Sequence, residues 1–477
     1  MRVHWPGRRA LELVSKPRVQ GVWHRVSILL HASLPCWLMA ACVSGARPTG
    51  KIVRYTSSAT EVTSANGDAS GERTRKPGLE LALAKSEAER IMVEVARARE
   101  LEVSGTVSVR VVDGPAVRAF ARKSMYEHTT PEEIRLLTRV DASLGVLPPG
   151  ADGEKILLDM LEQAVLGIYD PDENTLLIGQ FIPKSLLTMV VGHEIAHGLQ
   201  DMHFDLDSLQ KPLKGQTDRE AARTFLLEGD AQAAYLAWLG RERGLAAIDD
   251  NVFLAMGNQA LDLQVSPYPI LARALQLPYA DGAATIARLV RHKGWRAVDE
   301  LYERLPTTSE QMLHVDKLLS REPAIDVKID VTPLRRALVG HTVVYEDNLG
   351  EATLLAMLAQ VEPSTVARQS AAGWGGDRFV ALDAADKQQQ PPVVVGLIAW
   401  DSERDAAEFE LSFRKYLDQQ VGREMMLIRK RDLVVFATRV SDDVDRTALE
   451  HASWRAFTVA RGAGGARAHK HVDKEKL

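Results

Sequence analysis

The sequence predicts an α+β fold in two parts: a mostly helical domain over residues 78–338 with a small antiparallel sheet, and a C-terminal α+β domain over residues 339–461. Three observations support this class. Apolar residues recur at helical spacing through much of the first part. Two apolar runs there flank a Pro-Asp-Glu-Asn turn at residues 171–174, which is typical of a β-hairpin. After residue 339 the pattern changes to the order β-β-α-β-β-α.

Composition is that of a globular protein. A chain of 477 residues is long enough for two or more domains, and its fractions of hydrophobic (45%) and charged (26%) residues are ordinary. The net charge of −5 gives no overall basic field, and the chain carries no nucleic-acid motif. We therefore expect no nucleic-acid partner. The sequence leaves the oligomeric state open.

The N-terminus is typical of a targeting segment. Residues 1–25 are basic, and the apolar run at 26–41 is too short and too interrupted for a membrane-spanning helix. We therefore predict a signal peptide over residues 1–41. Its basic part is longer than usual, which makes a translation start near Val22 an alternative.

The predicted signal peptide ends in Leu-Met-Ala-Ala-Cys, which resembles a bacterial lipobox with Met39 in place of the usual Leu. Cys42 would then carry a lipid anchor to the membrane. Cys36 is the only other cysteine, so the mature chain would have no disulfide. The expected location is the cell envelope, at the outer membrane or on the periplasmic side. Plain secretion and a cytosolic protein are the alternatives.

The elements before the hairpin follow from composition and periodicity. Residues 42–77 are polar and rich in Ser, Thr and Gly, which indicates a flexible linker. Residues 79–101 are amphipathic and predict a long helix, whereas residues 106–112 alternate and are β-branched, which predicts a strand. Further helices are expected within 115–137 and at 153–165.

The hairpin over residues 166–178 comes just before the segment that carries the chemistry. One of its strands can serve as an edge strand with which an extended substrate pairs. An ordinary structural hairpin is the alternative.

The most informative segment is the pentapeptide His-Glu-Ile-Ala-His at residues 193–197, in a stretch whose apolar residues recur at helical spacing. His193 and His197 are four residues apart, so they project from one helix face and can bind one Zn²⁺. Glu194 can take a proton from the water that zinc activates. A structural helix with both histidines in hydrogen bonds is the alternative.

Two histidines leave a catalytic zinc one protein ligand short, and two candidates compete. His203 has the spacing of metzincins, whose pattern H-E-x-x-H-x-x-G-x-x-H needs a glycine where this chain has Gln200. Glu228 lies in Leu-Glu-Gly-Asp-Ala, within a second predicted helix at about residues 218–239. Glu220, two turns earlier, is a weaker substitute for Glu228.

The motif is followed by Gln-Asp at residues 200–201, Phe-Asp-Leu at 204–206 and Leu-Glu-Gly-Asp-Ala at 227–231. Residues 150–320 resemble a group of predicted bacterial gluzincin-type zinc metallopeptidases through these segments. The resemblance implies a zincin-like fold for the first domain and one Zn²⁺ per chain. The residues it implies are the ligands His193, His197 and Glu228 and the general base Glu194.

Residues 253–335 are expected to be mostly helical and contain two candidate donors for an oxyanion, Tyr279 and His314. A structural role is the alternative for each. Asp230 is a candidate for orienting a ligating imidazole.

The C-terminal domain also contains a glycine-rich segment at residues 373–378, predicted to be a tight turn with an exposed Arg378. The tail at 462–477 is predicted to be disordered. The predicted elements are strands at 379–382 and 393–400, a helix at 403–420, a hairpin at 425–438 and a last helix at 448–459.

Together these patterns predict zinc-dependent hydrolysis of peptide bonds, in a peptide or protein substrate, at the bacterial cell envelope. One alternative is a non-catalytic zinc-binding lipoprotein that acts as a scaffold or adaptor; the intact Glu194 counts against it. Another is a metal-dependent hydrolase of a non-peptide amide or ester. The sequence does not distinguish peptide from other amide substrates.

Overall fold

The computed structural model describes residues 81–164, 166–262, 266–384 and 389–461. The predicted signal peptide, lipobox with Cys42, linker and C-terminal tail lie outside the described residues. Among the helices of the described ranges, none is both long enough and apolar enough to cross a membrane.

The described chain is mixed α+β and mostly helical, as predicted. A 3₁₀ segment (Arg241–Ala247) and a π-helical segment (Pro278–Gly282) interrupt the α-helices. The helices are α1 (Leu81–Arg99), α2 (Gly114–His128), α3 (Pro131–Ser143), α4 (Gly153–Ala164), α5 (Lys184–His203), α6 (Leu206–Leu209), α7 (Thr217–Leu239), α8 (Asp250–Leu261), α9 (Pro269–Leu277), α10 (Ala283–Lys293), α11 (Arg296–Glu303), α12 (Ser309–Leu313), α13 (Val315–Ser320), α14 (Thr332–Ala337), α15 (Gly350–Leu358), α16 (Ser364–Ala371), α17 (Glu403–Gln420) and α18 (Arg446–Ala456).

The described strands form three sheets, with the orders β1-β3-β2, β4-β10 and β5-β6-β7-β9-β8. Their bounds are β1 (Ser108–Val112), β2 (Gly167–Asp170), β3 (Thr175–Gly179), β4 (Asp326–Ile329), β5 (His341–Asp347), β6 (Trp374–Ala384), β7 (Val393–Trp400), β8 (Met425–Lys430), β9 (Leu433–Thr438) and β10 (Phe457–Ala460).

The small sheet of the first part contains the predicted hairpin, in which β2 and β3 pair antiparallel around the turn that includes Asn174. Strand β1 joins β3 in parallel, with Ser108 opposite Thr175, so the sheet is mixed. The antiparallel prediction holds for the hairpin only. Local patterns reveal β1 as a strand but not its direction beside β3, because three helices and β2 separate the two strands along the chain.

Helix α5, which carries the His-Glu-Ile-Ala-His motif, packs against α1, α7 and β2. Its apolar positions, among them Val191, Ile195 and Leu199, are buried in the main hydrophobic cluster. Polar residues on this helix therefore sit in the protein interior, where each needs a partner or a ligand.

The C-terminal five-stranded sheet is antiparallel, and two of the elements predicted for this part are wrong. The predicted turn at 373–378 is mostly strand: only Gly373 has a turn conformation (φ 81°), and β6 begins at Trp374 with a bulge. The last helix ends at Ala456, and the next four residues form β10, which pairs with β4. That partner strand lies about 130 residues earlier, so no local pattern announces the pairing.

The main hydrophobic cluster continues from α1, α5 and α7 into α15 and α17. Phe225 of α7 and Leu355 of α15 belong to the same buried cluster. Helix α7 of the first part packs directly against α15 of the C-terminal part.

Candidate metal centre

Three buried side chains on α5 and α7 point their ligand atoms at one another. Nε2 of His193 is 3.2 Å from Nε2 of His197, and each of these nitrogens is 3.3 Å from Oε2 of Glu228. The three residues are between 0% and 3% exposed. They could hold a metal ion. Oε1 of Glu228 is buried and has no hydrogen-bond partner among the described residues, as is expected of a carboxylate that binds a cation.

The charges in this triangle respond to each other. Burial lowers the pKa of His193. Burial also acts to lower the pKa of His197, but the Glu228 carboxylate outweighs it and raises that pKa to about 9. For Glu228, the two histidines overcome the effect of burial and lower its pKa to about 2. The Glu228 carboxylate is therefore ionised at neutral pH. A positive charge beside it, on a protonated histidine or a metal ion, stabilises this ionised form.

His197 is oriented by Gln200, one turn later on α5. Oε1 of Gln200 is 2.8 Å from Nδ1 of His197. The Gln200 amide donates to the carbonyl of Leu227 (2.9 Å) and to Oδ2 of Asp230 (3.0 Å), both on α7. A single glutamine thus ties the second histidine to the helix that carries Glu228.

Behind Gln200 lies a buried ion pair. Nε of Arg99, at the end of α1, donates to Oδ1 of Asp230 at 2.6 Å, and the Tyr302 hydroxyl donates to Oδ2 of Asp230 at 2.8 Å. The Arg99 guanidinium also stacks on the Trp295 ring at 4.6 Å and donates to Asp299 at 2.7 Å. Asp230, predicted to orient a ligating imidazole, therefore reaches His197 through Gln200.

The other histidine faces the π-helical segment. The Tyr279 ring lies 5.3 Å from the His193 ring, centroid to centroid, and Tyr279 is buried. Gln232, one turn after Glu228, also interacts with His193. Of the two predicted donors, Tyr279 is the one in ring contact with a candidate ligand.

Close backbone contact brings this segment to α7. A Cβ on Gly229 would lie 2.5 Å from the backbone carbon of Gly282, and a Cβ on Gly282 would lie 2.6 Å from the carbonyl oxygen of Phe225. Only glycine fits at both positions. The glycine of the Leu-Glu-Gly-Asp-Ala motif therefore has a packing reason: it admits the segment that holds Tyr279 beside His193.

Glu194 is fully buried on α5 between the two histidines in sequence. Its charge is among the influences that raise the pKa of His197, so the carboxylate lies near that histidine.

The other candidates lie apart from the triangle. His203 is exposed, and its Nε2 is 2.7 Å from the carbonyl of Glu102. Glu220 is buried and accepts a hydrogen bond from the backbone N–H of Leu213. His314, the second predicted donor, is bonded through Nε2 to Oε1 of Glu351 at 2.8 Å.

Gln200 was noted as part of the gluzincin resemblance and as the residue that breaks the metzincin pattern, but an orienting role was not predicted for it, and no role was predicted for Arg99 or Tyr302. Gln200 had a local signal, because a residue three positions after His197 lies on the same face of the helix. Arg99 had none, since its partner Asp230 is 131 residues away.

Comparison with known protein families found a match for the C-terminal part of the chain. Residues 338–467 match the model of a family described as a domain of unknown function, DUF8575. No curated protein matches the chain, and no solved structure matches it.

Proposed function

We propose that the protein is a zinc-dependent hydrolase of peptide bonds, with zinc held by His193, His197 and Glu228 and with Glu194 as the general base. The observation that carries the proposal is the triangle of ligand atoms, 3.2–3.3 Å on each side, next to a buried glutamate.

These distances suit zinc. Tetrahedral coordination with bonds of about 2.0–2.1 Å separates neighbouring ligand atoms by about 3.3 Å. Nitrogen and carboxylate donors are also the ligand types that zinc accepts. Structural zinc sites have four protein ligands, whereas catalytic sites have three and keep one position open. A set of three therefore favours catalysis.

The chemistry divides between the metal and the chain. A zinc ion held here would supply Lewis acidity, which lowers the pKa of water and polarises a substrate carbonyl. The Glu194 carboxylate would accept the proton of the attacking water and deliver it to the leaving amine nitrogen. Gln200 would hold His197 in one orientation throughout, because its amide is fixed at both ends.

We also propose that the protein is anchored to the cell envelope by lipid on Cys42. The lipobox-like sequence supports this. Metabolic labelling with a fatty acid should mark the wild-type chain and leave Cys42→Ser unlabelled; equal labelling of the two would contradict the anchor.

The decisive experiment is metal content by elemental analysis, followed by cleavage of a peptide library alongside amide and ester substrates. We expect about one zinc per chain in wild type. His193→Ala and Glu228→Ala should lose it, whereas His203→Ala, the matched control, should keep it. Glu194→Gln should keep zinc and lose cleavage.

Each other result has a clear meaning. A folded wild type that takes up no zinc when zinc is supplied would overturn the proposal. Zinc lost in His203→Ala but kept in Glu228→Ala would contradict the ligand set. Cleavage of amides or esters without peptides would change the substrate class while keeping the metal chemistry.

A further inference from the structure

One short segment of the C-terminal part, residues 347–368, reaches several elements of the candidate metal centre. It runs from the end of β5 through α15 into α16. Three of its contacts reach three different places: the start of α7, the π-helical segment, and His314.

The first contact caps the helix that carries Glu228. Gln216, at the N-cap position of α7, makes no side-chain cap. Instead, the backbone N–H of Thr217 donates to Oδ1 of Asp347 (3.0 Å) and that of Asp218 donates to Oδ1 of Asn348 (3.1 Å). Free N–H groups at a helix start need such partners. Here residues about 130 positions away supply them.

The second contact holds the segment that carries Tyr279. Nη1 and Nη2 of Arg368 donate to the two carboxylate oxygens of Asp281 at 2.7 and 3.0 Å, and Nε donates to Oδ1 of Asn258 at 3.1 Å. A Cβ on Gly257 would lie 2.5 Å from Nη2 of Arg368, so a glycine leaves the room that the guanidinium occupies. Asp281 is two residues after Tyr279, which contacts the His193 ring.

The third contact fixes His314, whose Nε2 is bonded to Oε1 of Glu351. Glu351 is 2% exposed, so a buried acceptor sets the position of this ring. The segment that carries Tyr279, the His314 ring and the start of the helix of the third candidate ligand thus all contact residues 347–368.

We propose that residues 347–368 form a positioning element for the metal centre, and that the Arg368–Asp281 ion pair is its link to Tyr279 and His193. This inference rests on the proposed function for the identity of the metal. It assigns a definite role to part of the region that matches a domain of unknown function, because the segment orders one ligand helix and the wall of the site.

The test compares two ion pairs that join the C-terminal part to earlier helices. Arg139 of α3 pairs with Asp383 of β6, and the side chains are 19% and 9% exposed, close to the 23% and 15% of Arg368 and Asp281. Arg139→Ala is therefore a matched control. The chain is assayed whole, for zinc affinity by competition with a chromophoric chelator and for hydrogen exchange of residues 278–282 in the metal-free protein.

We expect Arg368→Ala to weaken zinc binding by about tenfold or more and to speed exchange in residues 278–282. Arg368→Lys should lie between Ala and wild type, because it keeps the charge but not the bidentate geometry. Asp281→Asn keeps the side-chain shape and decides the question if Arg368→Ala does not fold. Arg139→Ala should leave both readouts at wild-type values.

Zinc affinity and exchange that are the same in Arg368→Ala, Asp281→Asn and Arg139→Ala would overturn the inference and leave the proposed function intact. A wild type that binds no zinc would instead remove the proposed function. In that case the exchange of residues 278–282 still decides whether Arg368 holds the segment.

Discussion

Gln200 joins His197 to Asp230: its Oε1 faces Nδ1 of the imidazole at 2.8 Å, and its Nε2 donates to the carboxylate at 3.0 Å. The amide orientation follows from the partners, since the Leu227 carbonyl and Asp230 both require a donor. Oε1 must therefore accept from Nδ1–H of His197. This tautomer leaves Nε2 unprotonated and free to bind a metal.

Gln200→Ala should weaken zinc binding by about 10–100-fold, because it removes the group that fixes the His197 tautomer. Above about pH 9, where His197 loses its second proton in the metal-free protein, the same variant should let the neutral imidazole populate both tautomers. Chelator competition measures the first effect, and nitrogen chemical shifts of the labelled ring measure the second. His203→Ala, on the same helix but outside the triangle, should show neither; wild-type zinc affinity in Gln200→Ala would argue against the orienting role.

Gly229→Ala should destabilise the protein by about 1–3 kcal/mol, because the new Cβ would lie 2.5 Å from the backbone of Gly282 and no side-chain rotation can relieve the contact. Helix propensity alone would favour alanine by about 1 kcal/mol, so a net loss isolates the steric effect. Urea unfolding measures it. Gly105→Ala, whose Cβ would meet Met202 at an ordinary 3.4 Å, is the control. Equal stability of the two variants would contradict the close packing.

Asp218, in the first turn of α7, is predicted to make the stability depend on pH. Burial raises its pKa to about 7, although Ser309 donates to it; the charges of Asp377 and Glu351 face it and raise the pKa further. Between the unfolded value near 4 and about 7, the folded state holds a proton that the unfolded state has lost. The free energy of unfolding must therefore fall as the pH rises through this window and level off above it.

Asp218→Asn removes this titration. We expect the stability of the variant relative to wild type to rise by about 1–4 kcal/mol between about pH 4 and pH 8, measured by urea unfolding. Asp377→Asn is the comparison: burial raises the pKa of Asp377 to about 6, so its effect should be smaller and complete at a lower pH. Parallel stability curves for wild type and Asp218→Asn would show that this carboxyl does not titrate in the window.

Periodicity predicted the two helices that carry the candidate ligands. His193 and His197 are spaced to share one face of α5, and the second apolar stretch gave α7, whereas the choice of Glu228 as third ligand came from the resemblance to gluzincins. The hairpin before α5 followed from its turn residues. These predictions succeed because each depends on residues within one element or on two adjacent ones.

The parts that the sequence did not reveal depend on partners far along the chain. Arg99 meets Asp230 across 131 residues, and Asp347 caps Thr217 across 130. Neither contact leaves a periodic trace near either residue. The strand β10 was predicted as helix for the same reason, since the strand it pairs with is the distant β4. The C-terminal contribution to the site therefore becomes visible only when the chain is folded.

Tyr279 and His314 were equal candidates for an oxyanion donor, and their surroundings now separate them. The Tyr279 ring is in contact with the His193 ring, whereas the His314 ring is bonded to Glu351.

If Tyr279 is the donor, Tyr279→Phe should lower kcat for peptide cleavage by about a hundredfold with little change in KM or zinc affinity, because it removes a hydrogen bond made only in the transition state. His314→Gln should leave kcat within a few-fold of wild type. Steady-state kinetics on the same peptide, with zinc content checked for each variant, decides between them: a large loss in His314→Gln alone would assign the role to the histidine. A similar loss in both would mean that the two side chains act together on one oxyanion.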